Sequence, residues 1–280
     1  MIYKSLSGIV NAIKRDSKGW KSIWFRGEPD CESALLPGVY RNKSLPLQKM
    51  LERENRLLQR FRQKAPTFSH LTCPNRRDTD NWLFLARHVG LPTRLLDWTE
   101  GALIALYFAL QEDRPVLWMI NPLELNKKSV VKGKYESDAP NDFPLTWYDF
   151  PQPLKLSKKT GYIEHIKKED FGRQNIGSIN IKGAWQKDEV CVRLPVAIIP
   201  TNIHPRMSVQ RSCFTVHGKL KDGIHVLVGE EWKFLKKYTI SHQKKRKMLA
   251  ELGLFGISQS TLFPDLDGLA IELKNSAMNL

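Results

Sequence analysis

Three observations predict an α+β fold. Apolar residues at helical spacing dominate up to Leu110, runs at strand spacing dominate from Val190 to Ile240, and the regular strand–helix alternation of a doubly wound parallel sheet is missing. The expected architecture is a helical N-terminal half packed on a mainly antiparallel β-sheet. With 280 residues, 41% of them apolar and 26% charged, the chain has enough apolar sequence for a full core, and its length suits one domain over 1–280. The region 121–186 reads as an insertion or long loop, because it holds five prolines and little sustained periodicity.

Taken in order, a short amphipathic stretch from Ile9 to Ile13 precedes the apolar run Ile23-Trp24-Phe25, read as a strand ending at Arg26-Gly27. From Ser44 to Lys64, Leu47, Met50, Leu51, Leu57, Leu58 and Phe61 recur at 3.6-residue spacing and predict a helix whose other face carries Lys49, Arg53, Arg56, Arg60 and Arg62. A second helix runs from about Asp80 to His88, closed by Gly90 and Pro92, and a third follows Asp97-Trp98-Thr99 through Ala102 to Leu110. Val116 to Ile120 reads as a strand. After the proline-rich region come strand-like runs at Val190–Ile199, Cys213–His217, Ile224–Val228 and Phe234–Ile240. A helix from Ser241 to Gly253 follows, then a last helix near Pro264 with Leu266, Leu269, Ala270 and Leu273 on one face.

Several function classes drop out. The four cysteines are scattered without metal-ligand spacing, and neither a dinucleotide-binding glycine fingerprint nor a phosphate-binding Gly-Lys-Ser/Thr loop is present. His-Glu-x-x-His and Gly-x-Ser-x-Gly are missing too. No metal site is expected. No apolar run approaches membrane-spanning length and the first residues do not read as a signal peptide, so a cytoplasmic location without membrane contact is expected.

Three segments carry more polar chemistry than a core needs. They are Phe25-Arg26-Gly27-Glu28, the run from Ala86 through His88, Gly90, Pro92-Thr93-Arg94 and Asp97 to Thr99, and the pair formed by Gln210 to Gly218 with Leu262 to Asp267. In order and character these resemble the FRG domain, a bacterial and phage family named for its Phe-Arg-Gly motif; the middle segment is the most specific. A weaker similarity is to ADP-ribosyltransferases, which implies a split sheet that clamps NAD. On that similarity Arg26 and Gly27 would hold the NAD phosphates or ribose, Phe214-Thr215 would supply the middle-strand contact, and Asp265 or Asp267 would stand where the superfamily usually has Glu. The implied function is transfer of ADP-ribose from NAD to a macromolecule by an effector in a toxin or phage-defence role.

The chemistry of such a reaction asks for a bidentate donor on the pyrophosphate and a carboxylate near the positive charge that builds on the ribose. Candidate catalytic residues are therefore Arg26, His88, Asp265 and Asp267, and candidate cofactor-binding residues are Arg26, Gly27, Thr93, Arg94, Gln210, Phe214 and Thr215. Each has a structural alternative. Arg26 can pair with Glu28 or Asp97; His88 can cap its helix; Arg94 can pair with Asp97; Asp97 with Glu100 forms an N-terminal capping pattern; Asp265 and Asp267 favour the positive end of the last helix.

Charge adds a second expectation. The chain carries 44 Lys+Arg against 29 Asp+Glu, a formal +15, and about half of that excess lies between His204 and Ala250, densest at Lys244-Lys245-Arg246-Lys247. A non-catalytic module binding nucleic acid or an acidic protein through the Arg53–Arg62 and Lys244–Lys247 faces is thus the competing expectation.

Overall fold

A computed structural model of the chain describes residues 1–30, 35–42, 44–68, 73–75, 78–129, 155–156, 163–164, 195–200, 204–217, 224 and 233–277. Its strands are β1 (Ile2–Tyr3), β2 (Trp24–Pro29), β3 (Leu95–Thr99), β4 (Pro115–Ile120), β5 (Lys155–Leu156), β6 (Ile163–Glu164), β7 (Val196–Ile198), β8 (Ser212–Val216) and β9 (Leu235–Ile240). Seven of them form one mixed sheet in the order β1-β9-β4-β2-β3-β8-β7, in which only the β1–β9 pair is parallel. The α+β class and the antiparallel bias are as expected. Most of the expected insertion, and all but Ile224 of the run Ile224–Val228, lie outside the described residues.

Helices cover both faces. On one, α1 (Leu6–Asp16), α4 (Ala102–Ala109), α7 (Lys245–Leu254) and α8 (Gln259–Leu262) enclose Phe25, Leu117, Met119, Tyr238 and Ile240. On the other, Trp24, Leu96, Trp98, Val116, Trp118 and Ile120 pack with Leu125 of α5 (Pro122–Ser129). The 22-residue α2 (Leu47–Phe68) and α3 (Thr79–His88) complete the N-terminal half; α6 (Pro205–Val209) and α9 (Leu266–Ala277) come later.

The end of α3 follows the sequence punctuation. Asp78 accepts from Asn81 N at the start, and Gly90 takes φ +95° at the end, letting Leu91 N donate to Ala86 O at 2.9 Å. Only glycine enters that backbone region at little cost, so the helix stops there and the chain turns into β3.

Four expectations change. Leu95–Thr99 is a strand between β2 and β8, hidden in the sequence because Leu95 and Leu96 are buried on opposite faces and the apolar/polar alternation is lost. Arg26-Gly27 does not end β2 but sits within it, in register with Trp118 and Leu117 of β4. The Asp97/Glu100 capping pattern is not used; Asp97 is mid-strand, and Gly101 is the N-cap of α4. In α9 the face toward the core is Gly268, against the Phe263 carbonyl, with Glu272, which accepts from Ser258 Oγ and Ser260 N. Leu266 and Leu273 are therefore exposed.

Candidate functional site

β2 pairs with β4 at six positions but with β3 only at Phe25–Thr99. Beyond that pair, Arg26 Nη1 donates to the Asp97 carbonyl at 2.8 Å, so a side chain takes the place of a ladder hydrogen bond between the two strands. Over this point, between the end of α3 and the end of α4, opens a cleft of about 470 Å³. Volumes of this order are usual for small-molecule sites.

The charged floor of the cleft is a chain of ion pairs. Arg26 Nε donates to Glu28 at 3.1 Å, and Glu28, nearly buried, also accepts from Leu35 N at 2.7 Å. Arg26 Nη1 lies 3.6 Å from Asp97 Oδ2. Arg87, from the last turn of α3, donates Nε to both Asp97 oxygens and Nη2 to Oδ2. Burial alone would raise the Asp97 carboxyl, but the Arg87 guanidinium, its hydrogen bond and then Arg26 outweigh this and hold it below the usual carboxylate range. The Asp97 side chain nevertheless stays 36% exposed, within reach of a ligand.

Each arginine is only half used. Arg26 employs Nε and Nη1, and Arg87 employs Nε and Nη2; among the described residues none accepts from Arg26 Nη2 or Arg87 Nη1. Two guanidiniums held on one carboxylate in the lining of a cleft, each with a nitrogen that no described residue accepts from, have the donor chemistry that an anion would need. Arg41 adds a third cation to the lining.

His88 stands beside Arg87 in the same wall. Its ring packs 4.8 Å from that of His204, and its buried Nε2 has no hydrogen-bond partner among the described residues. Burial and then His204, opposed by Asp97 and reinforced by Arg206 and Arg87, depress His88 to about 4, so it is neutral near pH 7.

The residues singled out from sequence divide cleanly. Arg26, Gly27, His88 and Gln210 line the cleft. Gln210 is anchored there through Nε2 to Leu262 O at 2.9 Å, and its own carbonyl accepts from Thr99. Gly27 serves packing, because a Cβ at that position would lie 1.9 Å from Ala105 O and 2.4 Å from Ala109 N of α4. The other candidates sit elsewhere. Arg94 is buried against Glu54 of α2, with Nη2 to Oε2 at 2.7 Å and its backbone N donating to Oε1 at 2.8 Å, rather than against Asp97 or in the cleft. Thr93 is buried and accepts from Leu95 N. Phe214 stacks on Phe84 with centroids 5.4 Å apart, and Thr215 accepts from Trp98 Nε1 on the opposite face of the sheet. Asp265 caps α9 through Gly268 N and is paired with Arg206, while Asp267 is exposed in the first turn of α9; neither lines the cleft.

The acid on which the two arginines of the cleft meet is thus Asp97, with Glu28 and Glu112 also in the lining, and sequence reasoning passed over its partner Arg87 and over Arg41. The available signal was the distance from Arg87 to Asp97 across the Gly90–Pro92 turn, which returns the chain beside the helix it has just left. Among the described residues no group of His, Cys, Asp and Glu is arranged to hold a metal ion, and no helix is long and apolar enough to cross a membrane.

Residues 21–116 match the family model of the FRG domain. No curated protein and no solved structure matches the chain. The matched segment runs from just before β2 into β4 and includes Arg26, Glu28, Arg41, Arg87, His88 and Asp97, so the whole charged floor of the cleft lies within it.

Proposed function

We propose, for a chain carrying an FRG domain over residues 21–116, that the cleft binds NAD as a substrate and transfers its ADP-ribose to an acceptor. The observation carrying this reading is the meeting of Arg26 and Arg87 on Asp97, each guanidinium keeping a nitrogen with no acceptor among the described residues. In this reading the two spare edges hold the pyrophosphate, a geometry that suits guanidinium better than ammonium.

Asp97 then faces the ribose. Because its paired arginines keep it ionised, it acts as a fixed negative charge rather than as a proton acceptor. It stabilises the positive charge that grows on the ribose C1′ as the bond to nicotinamide breaks. His88, neutral beside it, adds no opposing charge. The acceptor nucleophile bonds to C1′, nicotinamide leaves with the electron pair of the broken C–N bond, and the acceptor's proton passes to solvent. The acid expected near Asp265 or Asp267 is replaced in this scheme by Asp97.

The test is nicotinamide release from NAD, with NAD binding followed by calorimetry. Removing a preorganised charge of this kind costs on the order of a hundredfold or more in rate, so Asp97→Asn should lose at least that much turnover. Arg26→Ala should weaken NAD binding, with circular dichroism confirming that both variants fold. Wild-type protein that neither binds NAD nor releases nicotinamide overturns the proposal.

A further inference from the structure

The densest run of positive charge in the sequence is folded against the rim of this same cleft. His242 Nδ1 donates to the Asp113 carbonyl at 2.8 Å, and Lys245 Nζ donates to the Gln111 carbonyl at 3.1 Å. Gln111 and Glu112 line the cleft, and exposed Arg114 lies in the same turn. These two contacts dock the turn leading into α7 beside the cleft mouth. Lys244, Arg246 and Lys247 are left exposed, with Lys247 at 75%.

Among the described residues, local structure does not balance these charges. No acidic residue occupies the first turn of α7, so the cations sit where the helix dipole repels them. Lys247 reaches Glu251 only at 4.0 Å, and the carboxylates of the adjoining turn, Glu112 and Asp113, are outnumbered by Arg114 with the four cations of the run. An external polyanion relieves this repulsion.

We infer that this ridge is the track for a single-stranded nucleic acid, delivered to the cleft as the acceptor. The inference rests on the ADP-ribosyl-transfer reading for its chemistry, but the binding surface stands apart from it. Two features select a nucleic acid over an acidic protein. Four consecutive cations fan around a helix start, which matches an evenly charged flexible backbone. The adjacent cleft has the scale of a small molecule rather than of a protein segment, and its wall holds the half-buried ring of Phe108, a surface on which a base can stack. A duplex is too wide to offer one base to such a cleft without unpairing.

The experiment is fluorescence anisotropy with a short labelled mixed-sequence oligonucleotide, as DNA and as RNA, across a salt series. Lys244→Gln/Arg246→Gln/Lys247→Gln removes three cations. It should weaken binding at least about tenfold and flatten the slope of log affinity against log salt by about 2, near 0.7 per lost phosphate contact. Nicotinamide release from NAD without acceptor should be unchanged in this variant. Arg26→Ala should lose NAD turnover and keep oligonucleotide binding, whereas wild-type protein that binds the strand but neither binds NAD nor releases nicotinamide overturns the cleft reading and leaves the track standing. Unchanged affinity and slope in the triple variant overturn the track. Equal or tighter binding of a poly-Glu peptide overturns the choice of nucleic acid.

Discussion

Gly27→Ala separates two roles for the glycine of the Phe-Arg-Gly motif. If the glycine lets a ligand approach, alanine should impair binding and leave the fold intact. The structure favours the opposite result. An alanine Cβ would lie 1.9 Å from Ala105 O, 2.4 Å from Ala109 N and 3.0 Å from Ala105 C, and all three neighbours are backbone atoms of α4. No side chain can rotate away, so α4 must lift from β2 by about 1 Å, opening the packing of a core that is as dense as a crystal. Overpacking costs roughly 1–3 kcal/mol when side chains can adjust, and the rigid neighbours here place the loss at the top of that range or beyond. At about 2–4 °C per kcal/mol, a 3 kcal/mol loss lowers the melting temperature by roughly 6–12 °C. Urea denaturation with calorimetry measures it. A variant within about 0.5 kcal/mol of wild type that has lost NAD binding would falsify the packing argument and restore the ligand-approach role.

Further outcomes follow from the ion pairs and the histidine. Glu54→Gln leaves Arg94 buried without its charge partner and should cost about 3–5 kcal/mol, whereas Glu54→Met with Arg94→Met should recover most of it; equal losses in the single and double variants refute the assignment. The Asp97 carboxyl, held below its unfolded value, contributes stability above pH of about 4 that disappears as pH falls through its lower folded value. Arg87→Gln leaves the burial of Asp97 unopposed by its main cation, so the acid-unfolding midpoint should move to higher pH, as acid titration by circular dichroism will show. His88 is depressed from 6.5 to about 4, so between those values the unfolded chain takes up a proton that the folded chain refuses. Stability should therefore fall as pH drops from 6.5 toward 4, by up to roughly 3 kcal/mol, and His88→Asn should flatten that part of the urea-midpoint profile.

Much of the fold was legible along the chain because its signals are local. Gly90 and Pro92 stop α3 by backbone geometry, and the apolar spacing of Met50, Leu51 and Leu57 marks α2 wherever that helix packs. β3 was not legible, since a strand buried on both faces shows no alternation and Asp97 interrupts its apolar run. Nor was the inward turn of α9 on Gly268 and Glu272. Its leucines look like a core-facing stripe, but the hydrogen bonds that Glu272 accepts from Ser258 Oγ and Ser260 N at the start of α8 fix the opposite rotation.

For the site, the sequence by itself determined that unusual polar chemistry gathers at Arg26 and between Ala86 and Thr99, a grouping that a contiguous pattern can carry. The tertiary structure decided which of the charged residues are spent. Arg94 is neutralised by Glu54, 40 positions away, and Asp265 by Arg206, 59 positions away, while Arg26 and Arg87 share Asp97 and each keep an edge that no described residue occupies. An arginine looks the same in sequence whether it closes a core or opens a cleft. The difference lies in which carboxylate the fold brings to it and how much water is left at its other face, and both are set only when distant segments pack.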